Sequence, residues 1–219
     1  SARRAPRPAY VDAYSDWLYT RFSNSLHRRN CTANQISSRS GNFDLADSFS
    51  ILRTHHDDEG KFSPARGYLG SDVCMHAGFG PIRVSQTTGS LVTKNLNEEL
   101  NIWITGSSAP CISLFKPCSI SQDQVFQFVP GRNFESNSYW WRHEKFHRKM
   151  ILDYKKSIPQ YQIDRDRIEH SFIMENSKRP LAQHKVEPWD QIIHQSNELL
   201  DTWVNKLDYD GQRKFFQPY

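Results

Sequence analysis

His143-Glu-Lys-Phe-His147 is the stretch of this 219-residue chain whose residue types and spacing could do chemistry most directly. Residues four apart on a helix share a face, so both imidazoles could ligate zinc while Glu144 acts as general base on a metal-bound water. Two features weigh against that use. Arg142, Lys145 and Arg148 surround the pair and would repel a divalent cation, and a third ligand would have to come from Glu169, His170 or Glu175, which qualify by downstream position alone. The alternative is a solvated helical face on which Glu144 pairs with Arg148 one turn later. No metal or other cofactor is therefore expected, with His143, Glu144 and His147 as the zinc candidates if one is used.

Other constellations are milder. Thr105-Gly-Ser-Ser108 falls at a strand-to-strand turn, where hydroxyls and backbone N–H groups could line a polar pocket. Ser and Gly at such a turn need no function to explain them. His76 lies within Cys-Met-His-Ala77 and reads as a hydrogen-bonded core histidine or a pocket residue. Thr105, Gly106, Ser107, Ser108 and His76 are accordingly the candidate substrate-pocket residues. His55-His-Asp-Asp58 has metal-binding residue types, but adjacent side chains diverge, which reads as a solvated loop. Gly-x-Ser-x-Gly, phosphate-cradling glycine loops and dinucleotide fingerprints are absent, which sets those enzyme classes aside.

Cys31, Cys74, Cys111 and Cys118 are too scattered for a disulfide framework and contain no Cys-x-x-Cys pair, so they read as buried free thiols. The 28 basic residues are mixed among 24 acidic ones, and the aromatic run Tyr139-Trp-Trp141 fits a core or interface, so nucleic-acid binding is not expected. No apolar run is long enough to span a membrane, and no signal-peptide order opens the chain, so no membrane partner is expected and nothing points to a compartment.

These residues must be positioned by a mixed set of elements. Tyr10, Val11, Tyr14, Trp17, Leu18, Phe22 and Leu26 recur at helical spacing and predict one first helix. Phe43 to Leu52 predicts a second, capped by Asn42 or Asp44. Between Asp72 and Phe128, Val73–Ala77, Thr87–Leu96, Asn101–Thr105 and Ile112–Phe115 read as three or four short antiparallel strands. Helix returns at Tyr139–Leu152 behind Ser138, and the last helix carries Pro188 in its first turn and a stripe from Trp189 to Leu207. This order is α+β. Residues 1–9 read as a flexible basic lead-in, and 10–219 as a single domain whose sheet is incomplete without another segment or subunit.

Four stretches taken in order, Phe49-Ser-Ile-Leu-Arg-Thr-His55, Val73-Cys-Met-His-Ala77, Thr87-Thr-Gly-Ser-Leu-Val92 with Trp103–Pro117, and Tyr139-Trp-Trp-Arg-His-Glu-Lys-Phe-His-Arg148, resemble the C-terminal half of the secernin and dipeptidase family. That family belongs to the N-terminal-nucleophile (Ntn) cysteine hydrolases. The resemblance runs from about Phe43 to Leu207 and implies part of an αββα sandwich. It also implies amide hydrolysis of a peptide or amide substrate through an acyl-enzyme. The family nucleophile is an N-terminal cysteine freed by processing, upstream of everything matched here, so it would lie on a missing N-terminal segment or companion subunit. Ser1 beside its own amino group could imitate it, but Ala2–Pro8 is basic and proline-broken, unlike a strand opening a sheet. On this view the chain contributes a sheet, its covering helices and a pocket wall, with no catalytic residue of its own. The alternatives are a catalytically silent binding or assembly module of the same fold, and zinc peptidase chemistry through His143 and His147.

Overall fold

A computed structural model describes residues 10–55, 62–64, 72–77, 85–96, 99–118, 130–152, 154–177 and 187–207. The lead-in at 1–9 and the His56–Asp58 part of the histidine loop lie outside the described residues.

The chain is α+β. Helices α1 (Tyr10–Tyr14), α2 (Trp17–Phe22), α3 (Ser25–Ser38) and α4 (Leu45–Leu52) precede strands β1 (Leu91–Leu96), β2 (Glu99–Ile104) and β3 (Lys116–Cys118). Helices α5 (Tyr139–Leu152), α6 (Tyr154–Ser177) and α7 (Glu187–Lys206) follow. The expected first helix is instead three pieces. Asn24 adopts a left-handed conformation, φ 54° and ψ 30°, between α2 and α3, a geometry asparagine tolerates and a continuous helix cannot contain. In α4, Asp44 and Asp47 cap each other's backbone N–H at 2.8 and 3.1 Å, which fixes the helix start.

The strands form one antiparallel sheet in the order β1-β2-β3, with Val92 opposite Trp103 and Trp103 opposite Pro117. Two expected strands are differently built. Cys74 N–H donates to Thr54 O at 3.1 Å and Met75 N–H to the Thr87 hydroxyl at 2.9 Å, isolated bonds that leave residues 72–77 irregular rather than laddered. Pro110–Ile112 makes a 3₁₀ turn because Pro110 suits its start, so the strand expected at Ile112–Phe115 is displaced to Lys116–Cys118.

Two cores flank this turn. Phe49 stacks on Phe115 at 4.1 Å and tilts against Trp103 at 5.5 Å, closed by Phe172 and Ile192. The other joins Phe146, Met150, Tyr161, Leu200 and Trp203 from the three C-terminal helices with Cys74, Cys111 and Ile112. The buried stripe of α6 runs Tyr154, Ile158, Tyr161, Arg165, Glu169, Phe172, so the helical period that fills both cores also carries two charged groups inward between them. No helix among the described residues is long and apolar enough to cross a membrane.

Candidate functional site

Arg53 ends α4 and turns inward beneath the Pro110 turn. Its Nε donates to Pro110 O at 2.9 Å, one terminal nitrogen donates to Ser113 O at 2.9 Å, and the guanidinium forks onto Glu169, with one bond of 2.8 Å. Glu169 also accepts from Phe115 N–H at 2.6 Å, and Arg165 donates to Cys111 O. Four bonds from three side chains thus hold the backbone from Pro110 to Phe115. The turn is strained at its entrance: Ala109 is wholly buried with φ 59°, a left-handed value that an L side chain rarely adopts.

This clamp fixes Cys111 against two other loops. Cys111 Sγ lies 3.4 Å from His76 Nε2, Cys74 Sγ 3.7 Å from the same nitrogen, and His55 Nε2 3.0 Å from it. The four donor atoms lie within 4.8 Å of one another, and they form the only such group of His, Cys, Asp and Glu among the described residues. Burial raises the Cys74 thiol above its ordinary value, as does its neighbour Cys111. Burial pushes Cys111 the same way, but the Cys74 thiol and the imidazoles of His76 and His55 outweigh it and hold Cys111 well below the usual thiol range. Desolvation lowers His76, against the opposing pull of Cys111.

On its other side His76 Nδ1 meets His147 Nε2 at 3.3 Å. His147 Nδ1 meets Glu144 Oε2 at 3.4 Å, and Glu144 Oε1 accepts from Arg148 Nε at 2.9 Å. The expected Glu144 to Arg148 pair is therefore present, but on a buried face rather than a solvated one. Burial alone would raise the Glu144 carboxyl; the His147 ring, the Ser108 hydroxyl and the Arg148 guanidinium together lower it to about 2.

His143 points elsewhere. Its Nε2 lies 3.2 Å from Ile112 O and 3.4 Å from Ser113 Oγ, and its Nδ1 has no hydrogen-bond partner among the described residues. Burial, then the nearby Lys116 cation, lowers its pKa to about 3. The two histidines of the His-Glu-x-x-His match thus aim at different partners. Of the downstream ligand candidates, Glu169 is taken by Arg53.

The Thr105–Ser108 turn is used internally. Gly106 supplies φ 60°, Ser107 donates to Ser113 Oγ at 3.0 Å, Ser108 accepts from Gln86 at 3.1 Å, and Thr105 O accepts from buried Lys116 Nζ at 2.7 Å. Desolvation brings Lys116 down to about 8 against the opposing pull of Glu169. His76, Thr105, Ser107 and Ser108 are all buried, and none of the five expected pocket residues lines the cleft described next.

That cleft, about 620 Å³, opens between α4 and α6 and is lined by Arg53, His55, Cys111, Tyr154, Arg165 and Glu169 among others. His55 and Cys111 belong both to the cleft and to the buried cluster. His55, read from sequence as part of a solvated loop, and its meeting with Cys74 and Cys111, which are buried free thiols as expected, are what the sequence reading missed. One signal was there: Cys74 and His76 are two apart in a stretch whose composition predicts a strand, where that spacing puts both side chains on one face.

Comparison of the chain with protein-family models, with curated proteins and with solved structures returns no match.

Proposed function

We propose that the chain is the C-terminal portion of a cysteine-dependent amide hydrolase of the Ntn type, in the manner of the dipeptidases its sequence resembles. One observation carries this reading. The four stretches of resemblance, dispersed from Phe49 to Arg148, deliver their polar side chains to one buried centre: His55 from the first, Cys74 and His76 from the second, Ser108 and Cys111 from the third, Glu144 and His147 from the fourth. Packing alone gives no reason to gather such groups, because each buried polar atom must be compensated by a partner.

On this reading an upstream segment brings the nucleophilic N-terminal cysteine to the cleft. Its thiolate adds to the amide carbonyl, the amine leaves with a proton, and water then cleaves the thioester to release the acid. Arg53 and Arg165 at the cleft wall are paired with Glu169 and Asp166, so they shape the wall rather than recruit an anion. The partner segment also answers the apolar surface left in water, including Leu91 and Leu100 on the sheet and Tyr10, Tyr14 and Trp17 on the first helices.

The test is the intact mass and N-terminal sequence of the protein from its native source, with and without a cysteine-directed acylating probe. A probe-labelled N-terminal cysteine on an upstream or companion segment is the expected result. Label on Cys111 would place the nucleophile in this chain and overturn the assignment. A native protein with no labelled cysteine would identify a silent binding module.

A further inference from the structure

We propose that His55, Cys74, His76 and Cys111 bind one zinc ion as a closed, four-ligand structural site. The inference concerns the same buried centre as the hydrolase reading but does not require that reading, and holds for a silent module as well.

The spacing of the donors is the first argument. A tetrahedral zinc with Zn–S near 2.3 Å and Zn–N near 2.0–2.1 Å places its ligand atoms about 3.3–3.8 Å apart. The contacts to His76 Nε2 are 3.0 Å from His55 Nε2, 3.4 Å from Cys111 Sγ and 3.7 Å from Cys74 Sγ, and all four donor atoms lie within 4.8 Å of one another, so the cluster has to draw in slightly around an ion.

Valence points the same way. A single ring nitrogen carries either one proton or one lone pair, so it can serve as donor or acceptor in one good hydrogen bond. Three polar atoms crowd His76 Nε2 in a buried site, and hydrogen bonding cannot satisfy them all through that nitrogen. A cation at the common centre uses one lone pair from each of the four atoms.

The third is the shell behind the cluster. With His76 Nδ1–H donating to His147 Nε2 at 3.3 Å, and His147 Nδ1–H to ionised Glu144 at 3.4 Å, the ring lone pair of His76 is the one on Nε2, aimed at the cluster. Metal-binding histidines are oriented in this way, by a partner that fixes the tautomer and raises basicity. The His-Glu-x-x-His residues Glu144 and His147 are then support for a ligand instead of ligands themselves.

Two thiolates and two imidazoles in a tetrahedral set favour zinc over hard cations such as magnesium or calcium. Four protein ligands leave no open position, so the site is structural, and what it ties together is clear. His55 follows α4, Cys74 and His76 lie in an irregular segment, and Cys111 sits on a 3₁₀ turn, three segments with little regular hydrogen bonding of their own.

The test is the metal content and cobalt spectrum of the chain produced with zinc supplied. About one zinc per chain that survives gel filtration is expected, with intense visible bands and thiolate-to-metal charge transfer when cobalt replaces it. Cys74→Ser and Cys111→Ser should lose the metal, while Cys31→Ser, on α3, should keep it. Glu144→Gln should bind zinc about 10–100-fold more weakly while retaining the same tetrahedral cobalt spectrum. Should the cysteine variants fail to fold, the cobalt spectrum of the unaltered chain still decides. A chain that takes up no cobalt, a weak octahedral cobalt spectrum, a Cys74–Cys111 disulfide, or zinc retained by both cysteine variants would each overturn the proposal.

Discussion

In α1 and α2, Tyr10, Tyr14 and Trp17 leave 78, 75 and 74% of their surfaces in water, whereas His76, His147 and Ser107 in the centre are 1, 1 and 0% exposed. One region keeps large aromatic groups outside and the other keeps titratable and hydroxyl groups inside. The centre is held by bonds that reach across the fold: Arg53 is joined to Glu169, 116 residues away, and Arg165 to the Cys111 carbonyl. In α3, by contrast, no residue is buried; Thr32 bonds to its own helix, at Arg28 O and Arg29 O, and the links outward, Gln35 to the Thr54 hydroxyl and His27 to Asp72, leave from half-buried positions. Stability is thus concentrated where the polar groups are, and the N-terminal helices contribute surface rather than core.

This contrast can be broken experimentally. The largest effect is expected from Glu169→Gln, which strips the charge from a buried ion pair and leaves Arg53 uncompensated beside the stacked rings of Phe49 and Phe115. A loss of about 3–5 kcal/mol in urea unfolding is the expected outcome. Phe49→Ala should come close behind, at about 3–4 kcal/mol, because it removes the ring stacked on Phe115 and opens a cavity against Trp103. A change below 1 kcal/mol for either would mean that the centre does not carry the fold.

Acid should act on the same region with a smaller effect. His143 falls from an ordinary 6.5 to about 3 on folding, so the unfolded chain takes up a proton there that the folded chain refuses. The stability present above pH 6.5 is lost as pH falls toward 3. Glu144 adds loss of the same sign between 4.5 and about 2. Thermal unfolding measured from pH 7 to pH 4 should show a falling Tm that His143→Gln flattens. The smallest effect is expected from Trp17→Ser, within about 0.5 kcal/mol, since its ring is exposed; a larger loss would show that α2 is packed in solution.

The regular parts of this fold were legible where a period persisted. Asp44 capped α4 as its side chain suggested, Tyr139 opened α5, and the stripe of Ile192, Leu199, Leu200 and Trp203 identified the buried face of α7. The first helices were over-extended because spacing registers apolar residues but not the left-handed Asn24 that interrupts them. The centre was legible only in pieces. His76, expected as a hydrogen-bonded core histidine, and the Glu144 to Arg148 pair are both found, but the line of contacts from His76 through His147 to Glu144 was not legible. His55, Cys74 and Cys111 come from loops with no period, and a tertiary clamp through Arg53 and Glu169 is what gathers the last of them beside the others. No local pattern encodes a meeting of residues 55, 76, 111 and 147.

The most direct test of the whole account compares the cysteines of the two regions in one experiment: thiol modification followed site by site by mass spectrometry, with and without a zinc chelator. Cys31, half-buried on α3, should be modified first, while Cys74 and Cys111 stay protected and become reactive together when the chelator is added. Modification of Cys74 and Cys111 one independently of the other, at the rate of Cys31 and unchanged by chelator, would contradict a closed metal-binding centre at the heart of this protein.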